Sequence, residues 1–253
     1  MVEALFWPAL LGYGEAAVAY ASARTSRAAT WGVRLGWIAQ TALLIAQAAR
    51  ADGFPWSSWA GSLNLFVWLV VGAYLIWGCR PRFRLLGLTV MPLVAVLFVA
   101  ARIGGGTRTG ARPDYGNLFL LLHVGLVLAA FAGFTLAAGL AALYLWEERR
   151  LKRRAADILR LRLPPLASLE RLAHRTIFVS VPLLTLGLAI GIARQQQRGG
   201  SIDALEAVTV LTWLVYGGFL AARPRGHRAA VIALAGFALV IVARVALAGS
   251  HFA

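Results

Sequence analysis

The sequence predicts an all-α fold: a polytopic integral membrane helical bundle of about eight transmembrane helices, with both termini outside. Three observations carry this expectation. Of the 253 residues, 60% are hydrophobic and 14% charged, with mean hydropathy +0.73, whereas a soluble domain carries about a quarter charged residues. The apolar residues gather in runs of roughly 17–25, the length at which a helix crosses the hydrocarbon core. The runs do not alternate apolar and polar positions, as strands of a membrane barrel do over about 10 residues.

Taken in order, the first run is 4–22. It contains Glu15 and no small-residue cleavage site follows it, so it reads as a retained helix rather than a removed signal peptide. Runs 31–49 and 60–78 come next, divided by a segment with Gly53 and Pro55. The fourth run, 85–101, lies between Arg80, Arg82 and Arg84 on one side and Gly104-Gly105-Gly106 on the other. The fifth, 118–146, is longer than the bilayer requires and projects beyond it. A break over 147–175 carries Glu147-Glu148-Arg149-Arg150 and Lys152-Arg153-Arg154, then Leu163-Pro164-Pro165, which stops a helix. The last runs are 176–193, 204–222 and 229–249. There is no internal repeat and no separate soluble domain, so 1–253 reads as a single membrane domain.

Formal net charge is +15, from 25 Lys and Arg against 10 Asp and Glu. In a membrane protein that balance marks topology, because basic residues collect in cytoplasmic loops. No nucleic-acid-binding motif is present, and no nucleic-acid partner is expected. The loops after runs 1, 3, 5 and 7 carry 17 Lys and Arg, and those after runs 2, 4 and 6 carry 6. The first set is expected in the cytoplasm, which puts segments 50–59, 102–117 and 194–203 outside. The expected location is the cell (plasma) membrane, multi-pass. A lone cysteine, Cys79, excludes an internal disulfide, a CxxC pair and a CxxCH site. No Ser/His/Asp set, Cys/His set or HExxH occurs, and no catalytic residue is expected. The three glycines at 104–106 are too short a stretch for a phosphate loop.

This topology sorts the four histidines. His174 and His227 fall in or beside cytoplasmic basic loops and read as solvated. His123 begins the fifth run and His251 follows the eighth, so both lie at the outer interface. Two imidazoles at one depth can ligate one metal centre, and neutral imidazole is an axial ligand of heme iron. Their spacing by itself carries no metal-site pattern. Most of the nine tryptophans fall near run ends, as an interfacial belt does. Trp56 and Trp59 flank an outer segment and can offer aromatic surface. Glu15, Arg34, Gln40 and Arg244 lie within apolar runs, where polar groups are functional candidates by default. Arg34 and Arg244 can snorkel to an interface. Arg244 precedes His251 by two helical turns on about the same face, open to a carboxylate ligand or to an ion pair with Glu15.

Several stretches occur in order at a consistent spacing: Leu122-His123-Val124, Glu147-Glu148-Arg149, Leu151-Lys152, and Ile177 through Gly191 (IFVSVPLLTLGLAIG). They continue with Leu211 through Tyr216 (LTWLVY), Arg228-Ala229-Ala230 and Gly236-Phe237. In them, residues 60–253 resemble the CcsA/HemX-like cytochrome c assembly family of heme-handling membrane proteins. The resemblance implies a b-type, non-covalent heme at the outer face, held on a tryptophan-rich loop between two axial histidines. His123 and His251 occupy those two positions, and Asp203 and Glu206 align with the acidic residues of the loop motif. Given a heme, Arg194, Arg198 and Arg244 are candidates for its propionates, and Trp56 and Trp59 for its aromatic surface. The implied partners are heme, a cytochrome c assembly partner subunit, apocytochrome c and the lipid bilayer. The implied role is heme presentation in cytochrome c biogenesis, by ligation rather than bond-making, at most as a subunit of a heme-attachment system. Two other readings stand beside it: a HemX-like regulator of heme biosynthesis acting through 147–175, and a membrane transporter without heme. Segment 195–206 lacks the motif's tryptophans and proline, and a further family histidine falls on Ala221. These departures mark a divergent member, nearer the HemX-like branch.

Overall fold

A computed structural model describes residues 2–21, 26–50, 58–78, 84–107, 118–153, 165–198 and 204–242. The described residues form helices and turns, with no strand. A 3-10 turn, Val2–Leu5, leads into α1 (Phe6–Ala21), followed by α2 (Ser26–Arg50). Next, α3 (Trp59–Ala73) runs into a π-helical turn, Tyr74–Gly78, before α4 (Arg84–Ile103). Then come α5 (Leu118–Lys152), α6 (Leu166–Arg198), α7 (Ala204–Ala222) and α8 (Gly226–Ile241). Each predicted run holds one helix. Five segments, Trp59–Trp77, Leu86–Ile103, Leu122–Lys152, Leu166–Ala193 and Ala204–Ala222, are long and apolar enough to cross a membrane. The protein is an all-helical, multi-pass membrane protein.

The break expected over 147–175 is shorter than the hydropathy suggests. Helix α5 continues to Lys152 and α6 starts at Leu166, ten residues before the apolar run. Hydropathy follows the bilayer, but a helix need not stop at its surface. Pro165 sits just ahead of α6, where its carbonyl accepts from the Ser168 and Leu169 amides and its missing N–H costs nothing. Glu170, Arg171, His174 and Arg175 therefore project from a helix and not from a loop.

The chain forms two compact units, residues 1–117 and 118–251. In unit 1, α1 crosses α2 at glycines. A Cβ on Gly12 would lie 2.7 Å from the Gly32 carbonyl oxygen, and one on Gly36 would lie 2.8 Å from the Tyr13 ring. Gly32 and Gly36 form the small-xxx-small spacing that lets membrane helices approach closely. Inside this packing, the Tyr13 hydroxyl donates to Gln40 Oε1 at 2.6 Å, and Gln40 Nε2 donates to Asn64 Oδ1 at 2.9 Å. Asn64 Nδ2 reaches Gln47 Oε1 and the Gly106 carbonyl, to which Gln47 also donates. Gln40 is thus a satisfied core residue. Trp37 and Trp68 also take part in this packing. Their rings stack at 5.2 Å, and their indole N–H groups donate to the Trp68 carbonyl and the Thr41 hydroxyl.

In unit 2, α5 runs antiparallel along α6 and also packs on α8, while α7 packs on both α6 and α8. The register is marked by glycines that receive side chains of the facing helix: Gly133 faces Ser180, Gly187 faces Val127, and Gly191 faces His123. The Phe134 ring stacks on Tyr216 at 3.8 Å, and the Tyr216 hydroxyl donates to the Ala233 carbonyl of α8 at 2.9 Å. One aromatic pair therefore joins α5, α7 and α8.

Candidate functional site

His123 stands on the second turn of α5, against the notch made by Gly187 and Gly191 of α6. A Cβ on Gly191 would lie 2.6 Å from His123 Cε1, so only glycine admits the ring there. Nδ1 of His123 lies 2.6 Å from the Gly187 carbonyl oxygen. A carbonyl only accepts, so Nδ1 carries the proton. In the neutral ring Nε2 then carries the lone pair. This is the arrangement found in metal-ligating histidines, whose second nitrogen is held by a backbone carbonyl or a carboxylate. Sequence reading singled out His123 but missed the two glycines that seat it. Their signal was the four-residue spacing of Gly187 and Gly191.

The remaining predicted site residues divide between described and undescribed positions. Glu206 lies in the first turn of α7, where a carboxylate favours the helix dipole. Arg194 and Arg198 lie on the last turns of α6. Trp59 opens α3 in unit 1, behind a Ser58 cap whose Oγ accepts from the Gly61 amide at 3.0 Å. His251, Asp203, Arg244 and Trp56 lie outside the described residues. No group of three or more His, Cys, Asp or Glu arranged to hold a metal occurs among the described residues, and a pair of histidines is below that number.

The opposite end of unit 2 is more structured than its sequence suggests. His174 is not a solvated histidine. Its Nδ1 lies 3.0 Å from the Glu170 carbonyl oxygen and its Nε2 3.0 Å from that of Pro224, with its ring against Phe219 at 4.8 Å. Glu170 Oε1 accepts from the Gly226 amide at 3.0 Å, which caps the start of α8. Two α6 side chains thus hold the turn between α7 and α8. In that turn Arg223 has φ 48, the left-handed region, at a cost of about 1–2 kcal/mol for a residue with a Cβ. His227 is half-exposed, and its Nδ1 meets Glu148 Oε2 at 2.7 Å, where Lys152 also reaches Oε1 at 2.9 Å. Glu147, on the next position of α5, is buried, and its Oε2 has no hydrogen-bond partner.

This architecture defines a class: a multi-pass helical membrane protein whose second unit presents an oriented imidazole at one end and a braced, basic turn at the other. Residues 56–248 match the family model described as Cytochrome C assembly protein, and the chain belongs to that family. It is 29% identical to Protein HemX of Brevibacillus brevis over 182 residues, 71% of this chain and 66% of that protein. It is 24% identical to Cytochrome c biogenesis protein CcsA of Microcystis aeruginosa over 266 residues, 83% of this chain and 81% of the relative. With the CcsA protein of Guillardia theta it shares 27% identity over 232 residues, 81% and 77% of the two chains. The chain thus spans just under two thirds of the HemX relative and about four fifths of these CcsA relatives.

Proposed function

We propose that this protein binds a b-type, non-covalent heme at its outer face and presents it during cytochrome c assembly. His123 supplies one axial ligand and His251 the other. The observation that carries this reading is the hydrogen bond of His123 Nδ1 to the Gly187 carbonyl, which leaves Nε2 as the basic nitrogen. The Gly187–Gly191 notch holds the ring in one orientation before any ligand arrives, and so fits an imidazole ligand. Heme, when bound, supplies an iron that two imidazoles complete and two propionates for basic groups. Arg194, Arg198 and Arg244 pair with those propionates, while Asp203 and Glu206 border the same outer segment. All eight helices cross the plasma membrane, with both termini outside, in keeping with the Lys and Arg count. A partner subunit and the apocytochrome bring the thiol chemistry, since this chain has one cysteine.

The full chain purified in mild detergent is expected to show a Soret band. Cells lacking the protein are expected to lose holocytochromes while keeping normal total heme. Altered heme precursors with normal cytochromes would instead assign the protein to regulation of heme synthesis. No Soret band and no change in either pool would leave the transporter reading.

A further inference from the structure

At the end of unit 2 away from His123, α6 and the α7–α8 turn border an open groove of about 690 Å³, within the roughly 300–1,000 Å³ of ligand pockets. Its polar side is cationic. Arg171 and Arg175 stand one turn apart on α6, and Arg223 and Arg225 flank Pro224 in the turn. All four are exposed, and none forms an ion pair with a carboxylate among the described residues. Glu170, the acidic group of the lining, is engaged by the Gly226 amide. Four guanidinium groups and one carboxylate therefore line the groove, a net cationic surface in which none of the four arginines is ion-paired to that carboxylate.

The groove is built rather than incidental. Glu170 and His174 hold the turn that carries Arg223 and Arg225. Arg223 is the one non-glycine residue with positive φ among the described residues. Backbone strain of this kind persists where the surroundings impose it, and it clusters at ligand sites. Glycine would make the same turn without strain, but would bring no charge.

The other side of the groove is apolar. Phe178, 66% exposed, follows Arg175 by one turn of α6, and Leu220 precedes Arg223 by one turn of α7. Moving from the helix ends into the apolar spans, the lining thus changes from guanidinium to hydrocarbon. That gradient matches an amphipathic anion lying along the span axis. It does not match a small soluble anion, which would use only the cationic side.

We infer that this groove binds an anionic phospholipid, with phosphate on the arginine cluster and acyl chain along Phe178 and Leu220. Guanidinium groups bind phosphate oxygens in pairs, and so suit this headgroup better than ammonium groups do. The Lys and Arg asymmetry puts this end at the cytoplasmic surface, where anionic lipid concentrates and basic pockets between helices take acidic headgroups. The inference does not depend on heme binding at the other end of the unit.

The test is a binding titration on the delipidated full chain in detergent, read by native mass spectrometry. Cardiolipin, phosphatidylcholine, inorganic phosphate and hemin are the four probes. Two paired variants are compared with wild type: Arg171→Gln with Arg175→Gln, and Arg223→Gly with Arg225→Gln. The second pair relieves the backbone strain at 223, so a failure to fold is not expected. Cardiolipin should bind wild type more tightly than phosphatidylcholine does. Each lost guanidinium is expected to weaken cardiolipin about fivefold, or about 25-fold per pair, at unchanged helicity. Equal cardiolipin affinity in wild type and both variants would overturn the inference. Displacement of cardiolipin by inorganic phosphate would overturn it in favour of a soluble anion. Arginine-dependent displacement by hemin would overturn it in favour of a tetrapyrrole dicarboxylate.

Discussion

In unit 1 the polar side chains lie inside the helix packing, where Tyr13, Gln40, Gln47 and Asn64 bond to one another and to the Gly106 carbonyl. In unit 2 the interior hydroxyls of Thr135, Thr176, Ser180 and Thr212 turn back to carbonyls four residues earlier in their own helices. Its ionisable groups gather at the two ends instead: His123 at one, and Glu148, Glu170, His174 and His227 at the other. The contrast bears on how intramembrane polar residues are read. They are functional candidates by default, yet those of unit 1 are consumed by each other and specify packing. In unit 2, side-chain chemistry is oriented toward the ends.

The largest effect is expected in unit 1. Gln40→Ala removes the partner of the Tyr13 hydroxyl and one partner of Asn64 at a buried position. Stranding such groups costs about 1–3 kcal/mol each, so a loss of about 3 kcal/mol is expected by thermal unfolding in detergent. A loss below 1 kcal/mol would mean that the network is not a core element and would break the comparison. In unit 2, Gly191→Ala brings a methyl to 2.6 Å from His123 Cε1. Overpacking of this kind costs about 1–3 kcal/mol, and here displacement of the ring should lower heme retention severalfold. Gly125→Ala meets open space and should change neither. Equal heme retention in both glycine variants would separate the notch from ligation.

These contrasts were only partly legible in the sequence. The helices were, because runs long enough to span a bilayer stand out in any window of the chain. The start of α6 was not: Leu166–Arg175 carries Glu170, Arg171, His174 and Arg175, and its helicity shows in the packing against the α7–α8 turn, not in hydropathy. Gln40 was noticed as an isolated polar residue, but its partners Tyr13 and Asn64 lie 27 and 24 residues away. Nothing local signals that they meet. His123 stood out through topology and resemblance, whereas its seat required the α5–α6 register. The resemblance pointed to His251 and Asp203 as well, and position along the chain pointed to Arg244 and Trp56; all four lie outside the described residues.

Orientation is expected to follow the basic loops. Cysteine probes at positions Ser57 and Ser201 should label from outside the cell, and one at Ala155 only after the membrane is opened. Labelling at Ala155 in intact cells would invert both ends of unit 2 at once. A smaller effect is expected at the braced turn. Arg223→Gly removes the strain at φ 48 and should raise stability by up to about 1 kcal/mol. A loss instead would show that the arginine side chain holds the turn through packing.

The most direct measurement is the absorption spectrum of the purified full chain across four histidine variants. His123→Ala and His251→Ala are each expected to lower bound heme and shift the Soret band, because loss of one of two imidazoles changes the coordination and spin state of the iron. Added imidazole should partly restore the band. His174→Ala and His227→Ala should leave it unchanged, since those rings serve the α7–α8 turn and Glu148. Wild-type heme content and spectrum in both the His123 and the His251 variant would contradict bis-histidine ligation and, with it, the role proposed for the His123 end of unit 2.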